Sequence, residues 1–211
     1  MSSRTQPAKT AKAASKRPST KSKSRTARPL TIFTVGHSTR PIDEFIALLR
    51  AHGVRQLVDV RTIPRSRHNP QFAQDQLGPA LEAAGIRYLH APDLGGLRHA
   101  RRDSINSAWR NASFRGYADY MQTEAFTTAL ENLMRIAREQ PAAIMCAEAV
   151  PWRCHRSLIA DALLIRGVNV EEISSATRCQ PHKLTAWAKV QGQTLTYPAP
   201  ADAEVDQAKS R

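Results

Sequence analysis

The sequence predicts an α/β fold, a single domain with a mainly parallel sheet flanked by helices and followed by a C-terminal hairpin. Two observations predict it. Short apolar or β-branched runs alternate with segments of helical periodicity from Leu30 onward. The chain, at 211 residues, has the length for one domain with a buried core plus tails.

The elements follow in order. "LTIFTV" (30–35), "QLVDV" (56–60), "IRYLH" (86–90), "AAIMC" (142–146) and "VNVEEI" (168–173) are the candidate strands, "IRYLH" being the weakest. "PIDEFIALLRAHG" is the first helix. Pro41 lies near its first turn, Asp43 and Glu44 sit beside the positive helix end, and Gly53 stops it. Its apolar face is Ile42, Phe45, Ile46 and Leu49. "QFAQDQLGPALEAAG" and "TEAFTTALENLMRIAREQ" are two further helices. "WRCHRSLIADALLIRG" is the fourth, opened by Pro151 and ended by Gly167. "LTAWAKVQGQTLTYP" reads as two extended pieces around Gly192, which is a hairpin pattern.

The domain is thus expected at 30–198, with tails at 1–29 and 199–211. Residues 1–29 hold nine Lys/Arg and no acid, while the whole chain carries a net charge of +13. Such a tail has too little apolar surface to fold, and it can attract nucleic acid through charge alone. The first 29 residues have no apolar stretch of a secretory signal, and no apolar run in the chain is long enough to span a bilayer. Three cysteines, an odd count, fit reduced thiols in a cytoplasmic protein rather than a disulfide frame.

In open α/β sheets, ligands bind beyond the carboxyl ends of the strands. Four connections on that edge carry the chemistry here. The first holds His37 and Ser38; the second holds Arg61, Arg65, Arg67, His68 and Asn69; the third is "APDLGGLRHARR"; the fourth is "CAEAVPWRCHR" (146–156). Arg61, Arg67 and Arg156, with Ser38 and Asn69, are the candidate binders of an anionic substrate, because a guanidinium grips phosphate or carboxylate through a planar fork. His37, Glu148 and His155 are the candidates for proton transfer, and His37 alternatively caps its loop. "FRGYADYM" (114–121) places Tyr117 and Tyr120 either at the cleft or, at helical spacing, in the core.

Cys146 ends a strand, and Cys154 and His155 are placed in the first turn of the next helix. A thiol there can be a nucleophile, or it can be small core filling. The cysteines are eight residues apart and lack the paired Cys-x-x-Cys spacing of structural zinc. Cys179 and His182 add one Cys-x-x-His, so spacing assigns no metal. A phosphatase-type loop also fails on spacing, because Arg153 follows Cys146 after six residues rather than five.

Together "VGHSTR", "DVRTIPRSRHNPQF", "LGGLR", "FRGYADYM", "CAEAVPWRCHRSLIADAL" and "PHKLTAWAKVQGQTLTYP" resemble the family known as "domain of unknown function 488", from Phe33 to Pro198. The resemblance implies this fold and a site on these loops, and it brings no reaction and no cofactor with it. A histidine common in that family near the last strand is replaced here by "EEIS", with Glu172 at that place. The reading that results is an enzyme acting on a phosphate-bearing nucleotide or nucleic acid. Its rivals are a non-catalytic nucleic-acid module using the basic tail and a thiol redox or metal sensor.

Overall fold

A parallel strand covered on both faces needs apolar side chains in both directions, and "AAIMC" supplies them in alternation. In the computed structural model, which describes residues 29–200, this segment is the middle of a six-stranded sheet. The expected tails lie, apart from Pro29, Ala199 and Pro200, outside the described residues. The strands are β1 (Thr31–Gly36), β2 (Gln56–Asp59), β3 (Arg87–His90), β4 (Ala142–Cys146), β5 (Asn169–Ser175) and β6 (Arg178–Pro181), in the order β3-β2-β4-β1-β5-β6. The first five run parallel and β6 is antiparallel to β5. The hairpin around Gly192 is present as β7 (Lys189–Gln191) and β8 (Thr194–Thr196), with Gly192 at φ 61°.

Alternation sorts the core into two layers. Val35, Leu57, Ala143, Met145 and Ile173 face α1 (Ile42–Ala51) and α2 (Gln74–Ala83), which contribute Phe45, Leu49, Leu77 and Leu81. Ile32, Val58, Ala142, Ile144 and Val170 face α3 (Ala112–Tyr120), α4 (Glu124–Glu139) and α5 (Arg156–Leu164) on the other side. Among the described residues, no helix is long and apolar enough to cross a membrane.

Three elements differ from the sequence reading. Residues 112–120 form a helix of their own, started by Asn111, whose side chain accepts from the N–H groups of Ser113 and Phe114. Strand β6 exists because β5 offers it an edge, which no local pattern announces. The fourth helix begins at Arg156, not at Pro151. Pro151–Arg153 closes as one 3-10 turn and Cys154 is extended, with φ −133° and ψ 141°. The physical reason is a tie: the Arg156 guanidinium donates to the carbonyls of Glu148 and Ala149, which folds the loop back beneath the helix.

The order of strands positions the site. β1 lies between β4 and β5, so the chain leaves β1 toward one sheet edge for β2 and β3, returns through β4, and crosses to the other edge for β5. This reversal opens a crevice above the adjacent carboxyl ends of β2, β4 and β1.

Candidate functional site

Register brings the three strand ends level. Gly36 pairs with Cys146 and Asp59 with Met145, and the chain continues the ladder with His37 N–H donating to Cys146 O at 3.0 Å and Val60 N–H to Met145 O at 3.0 Å. Above them lies a cleft of about 420 Å³, within the size range of ligand sites. His37, Arg61, Cys146, Glu148, Cys154 and His155 all line it. The loops after β1, β2, β3 and β4 therefore do meet in one place.

Arg61 is buried and held. It donates to both Asp59 carboxylate oxygens, Nε to Oδ1 at 2.9 Å and Nη2 to Oδ2 at 2.5 Å, and Nη2 also reaches Phe72 O at 2.8 Å. Asp59 also accepts from the Arg61 backbone N–H at 3.1 Å and from the Tyr88 hydroxyl at 2.8 Å. Burial works against the Arg61 charge, but the hydrogen bonds and charge of Asp59 outweigh it and raise its pKa. Arg61 is thus fixed in place, with its charge balanced by Asp59.

His37 stacks on Phe72 with ring centroids 4.1 Å apart. Its Nδ1 sits 2.7 Å from Ser38 O and its Nε2 3.4 Å from Arg61 Nη1. Those partners set the tautomer: Nδ1–H donates to the carbonyl and Nε2 accepts from the guanidinium. Burial pulls its pKa down to about 4, with the Arg61 charge helping, so the ring is neutral near pH 7.

The corner of the cleft is made by Cys146, Cys154 and His155, whose Sγ and ring nitrogen atoms all lie within 4.8 Å of one another. Cys154 Sγ is 3.7 Å from His155 Nδ1, and His155 Nε2 is 3.2 Å from Val60 O. Nε2 therefore carries the hydrogen and Nδ1 turns its lone pair toward the thiols. The adjacent Cys154 thiol, followed by burial, drives the Cys146 pKa up to about 12. The neighbouring Cys146 thiol and the nearby Arg156 charge bring the Cys154 pKa down to about 7, against the effect of burial. Cys154 is the thiol that ionises first.

The remaining expected residues lie apart from this corner. Arg156 does not line the cleft: it is 1 % exposed and its two Nη groups donate to the Glu148 and Ala149 carbonyls, so it shapes the loop. The start of α5 offers no open anion cradle either, since Ser157 N–H and Leu158 N–H donate to Cys154 O and His155 O. Ser38 lies outside the lining, with φ at 52° and its N–H on Ala147 O. Arg67 is exposed, and Asn69, whose N–H donates to Ser66 Oγ, opens the 3-10 turn Pro70–Phe72. Glu148 lines the cleft and accepts from Val150 N–H at 3.3 Å.

Sequence reasoning passed over several residues that matter. Arg65 and Arg153 line the cleft in the places expected of Arg67 and Arg156. Asp59 had a visible signal, an acid inside an apolar strand. Gly96 had none, yet a Cβ on it would lie 2.5 Å from His155 Nδ1, so the ring packs directly on this residue. The Gly95–Gly96 loop is itself held by Tyr117 and Tyr120, whose hydroxyls donate to Leu94 O and Asp93 O, and by Arg98 over the Tyr120 ring at 3.6 Å. The tyrosines are supports rather than cleft residues. Cys179 and His182 do not join Cys146 and Cys154: Cys179 donates to Glu171, and His182 lies between Asp161 and Glu172.

Fold and site together define an α/β protein with a thiol–imidazole corner at the switch point of its sheet. The chain belongs to the family described as "Domain of unknown function DUF488", whose family model matches residues 41–163. That span is shorter than the resemblance drawn from Phe33 to Pro198, and it contains every lining residue of the cleft except His37. No curated protein and no solved structure matches the chain.

Proposed function

We propose that this protein is an enzyme acting on a phosphate-bearing substrate, a nucleotide or nucleic acid, held in the cleft above β2, β4 and β1. One observation carries the reading. Arg61, Arg65 and Arg153 line the same cleft as the Cys146–Cys154–His155 corner, with Glu148 the one acid among the lining residues and Ile63, Leu97 and Phe114 among its apolar ones. Ile63 and Leu97 are 59 % and 70 % exposed, which leaves their apolar side chains free to cover a planar ring. In this reading Arg65 and Arg153 grip the phosphate, Arg61 offers a fixed guanidinium edge in the lining, Glu148 handles the proton, and the corner supplies the reacting group.

Calorimetric titration with a nucleoside monophosphate, the unphosphorylated nucleoside and inorganic phosphate tests the reading. The phosphorylated nucleoside is expected to bind best, and the Arg65→Ala/Arg153→Ala double variant to lose about tenfold in affinity or more, each decade being about 1.4 kcal/mol. Equal binding of nucleoside and nucleotide, or a double variant that binds like the parent, removes the substrate class.

Cys146 and Cys154 lie side by side, and this supports a thiol-redox couple as a second reading. Nucleic-acid binding through residues 1–29 falls outside the described residues and rests on their nine cationic side chains, which would make it decline steeply with salt.

A further inference from the structure

Thiol pairs and thiol–imidazole pairs are common, but three such donors converging beside an open cleft are a ligand set. We propose that Cys146 Sγ, Cys154 Sγ and His155 Nδ1 form a three-ligand site for a borderline-soft divalent cation of the zinc class, with its fourth position open to the cleft. The proposal deepens the enzyme reading and rests on it for the role of the metal, whereas metal binding itself is measured without any substrate.

Three observations carry it. The first is spacing. A tetrahedral zinc with metal–sulfur and metal–nitrogen bonds of about 2.3 and 2.0–2.1 Å sets its sulfur and nitrogen ligands about 3.5 Å apart. Cys154 Sγ and His155 Nδ1 are 3.7 Å apart, and all three donor atoms fall within 4.8 Å of one another. Only a small closure of the Cys146 side chain is needed to seat an ion.

The second is orientation. A ligating histidine usually donates its other ring nitrogen to a carbonyl or carboxylate, which fixes the tautomer. His155 does this through Nε2 to Val60 O at 3.2 Å. Gly96 beneath the ring and Tyr117, with its ring centroid 5.0 Å away, keep the imidazole in that plane.

The third is chemistry. Two thiolates and one imidazole suit zinc and related soft or borderline ions and not magnesium or calcium, which require oxygen ligands. Three protein ligands leave the coordination incomplete, as in catalytic rather than structural zinc sites. The incomplete side faces the cleft, where Glu148 and the arginines lie. A metal there supplies a Lewis acid and an acidified water beside the phosphate-binding arginines.

The test uses the full chain, reduced and stripped of metal by a chelator, and titrated with Co²⁺ alone. The expected result is one cobalt per chain with thiolate-to-metal charge-transfer absorption and the intense visible bands of a four-coordinate ion, bleached by Zn²⁺. Cys154→Ser should abolish the charge-transfer band and His155→Gln should weaken binding about tenfold or more, while Cys179→Ser leaves both unchanged. Should the site variants fail to fold, maleimide labelling of the parent decides: Zn²⁺ should protect two of the three thiols and raise the melting temperature. A six-coordinate cobalt spectrum, thiols that react equally with and without Zn²⁺, or a Cys146–Cys154 disulfide on mild oxidation that Zn²⁺ does not suppress would each overturn the site. An intact cobalt spectrum with no preference for the nucleotide would instead retain the metal and discard the phosphate substrate.

Discussion

Replacing Gly36 by alanine should damage the site more than any other single-methyl change. Gly36 ends β1 and lies under the loop that follows β4. A Cβ there would sit 2.0 Å from Glu148 O, 2.7 Å from Glu148 C and 2.8 Å from Ala149 Cα. All three atoms are backbone, so no rotamer change relieves the clash. Ordinary contact begins at 3.4 Å, so the carbonyl must withdraw by more than 1 Å. That carbonyl is the acceptor for Arg156, and the same loop is tethered by Ser38 N–H on Ala147 O. Overpacking of this kind costs about 1–3 kcal/mol, and weakening a hydrogen bond from a buried charge adds about 1.5–3 kcal/mol. The expected loss is about 2.5–6 kcal/mol, or roughly 5–24 °C in melting temperature for a domain of this size. Because the displaced loop carries Glu148 and leads to Cys154, ligand and cobalt binding should also weaken. Urea and thermal denaturation read the first effect and titration reads the second. A Gly36→Ala protein that melts within about 2 °C of the parent and binds with the same affinity would refute the account of how this loop is held.

Arg156→Met should lower stability by about 2–4 kcal/mol, since two hydrogen bonds from a buried guanidinium are lost while most of the volume is kept; hydrogen exchange should then quicken in residues 148–153, and unchanged protection there would contradict the tie. His182 offers a pH test, because its Nδ1 lies 2.6 Å from Glu172 and its Nε2 2.9 Å from Asp161. Burial alone would lower its pKa, but the hydrogen bonds and charges of Asp161 and Glu172 outweigh burial and raise it from 6.5 to about 9. A raised folded-state value means the contribution is complete below pH 6.5 and is lost as pH climbs through 9, a decline of roughly 2–3 kcal/mol. Urea midpoints across pH 6–9.5 should show that slope in the parent and a shallower one in His182→Gln; parallel curves would mean the imidazolium is not held by its two carboxylates.

Local pattern in the chain was enough to reveal the alternating elements, the parallel sheet, the hairpin at Gly192 and the strand edge on which the polar loops gather. Those features follow from periods of two and 3.6 residues and from glycine and proline punctuation, all of which are properties of neighbours in sequence. The tertiary structure alone decided which residue does what on that edge. Arg61 and Arg156 look alike as free cations in sequence, yet one is clamped by Asp59 and the other is buried against two carbonyls. Arg65 and Arg153 are the arginines left to line the cleft beside Arg61. His182 looks like a partner for Cys179 three residues away, but β5 and α5 place Glu172 and Asp161 on its two nitrogens. Cys146 and Cys154 lack a metal-ligand spacing in sequence, yet the loop between them, with its 3-10 turn at Pro151, brings both thiols and His155 within 4.8 Å of one another. The physical reason is that a polar side chain's role depends on the donors and acceptors that reach it. Those are whichever groups the folded chain brings within reach, from Asp59 two residues from Arg61 to Asp161 on α5 facing His182, and no local period encodes which ones they are.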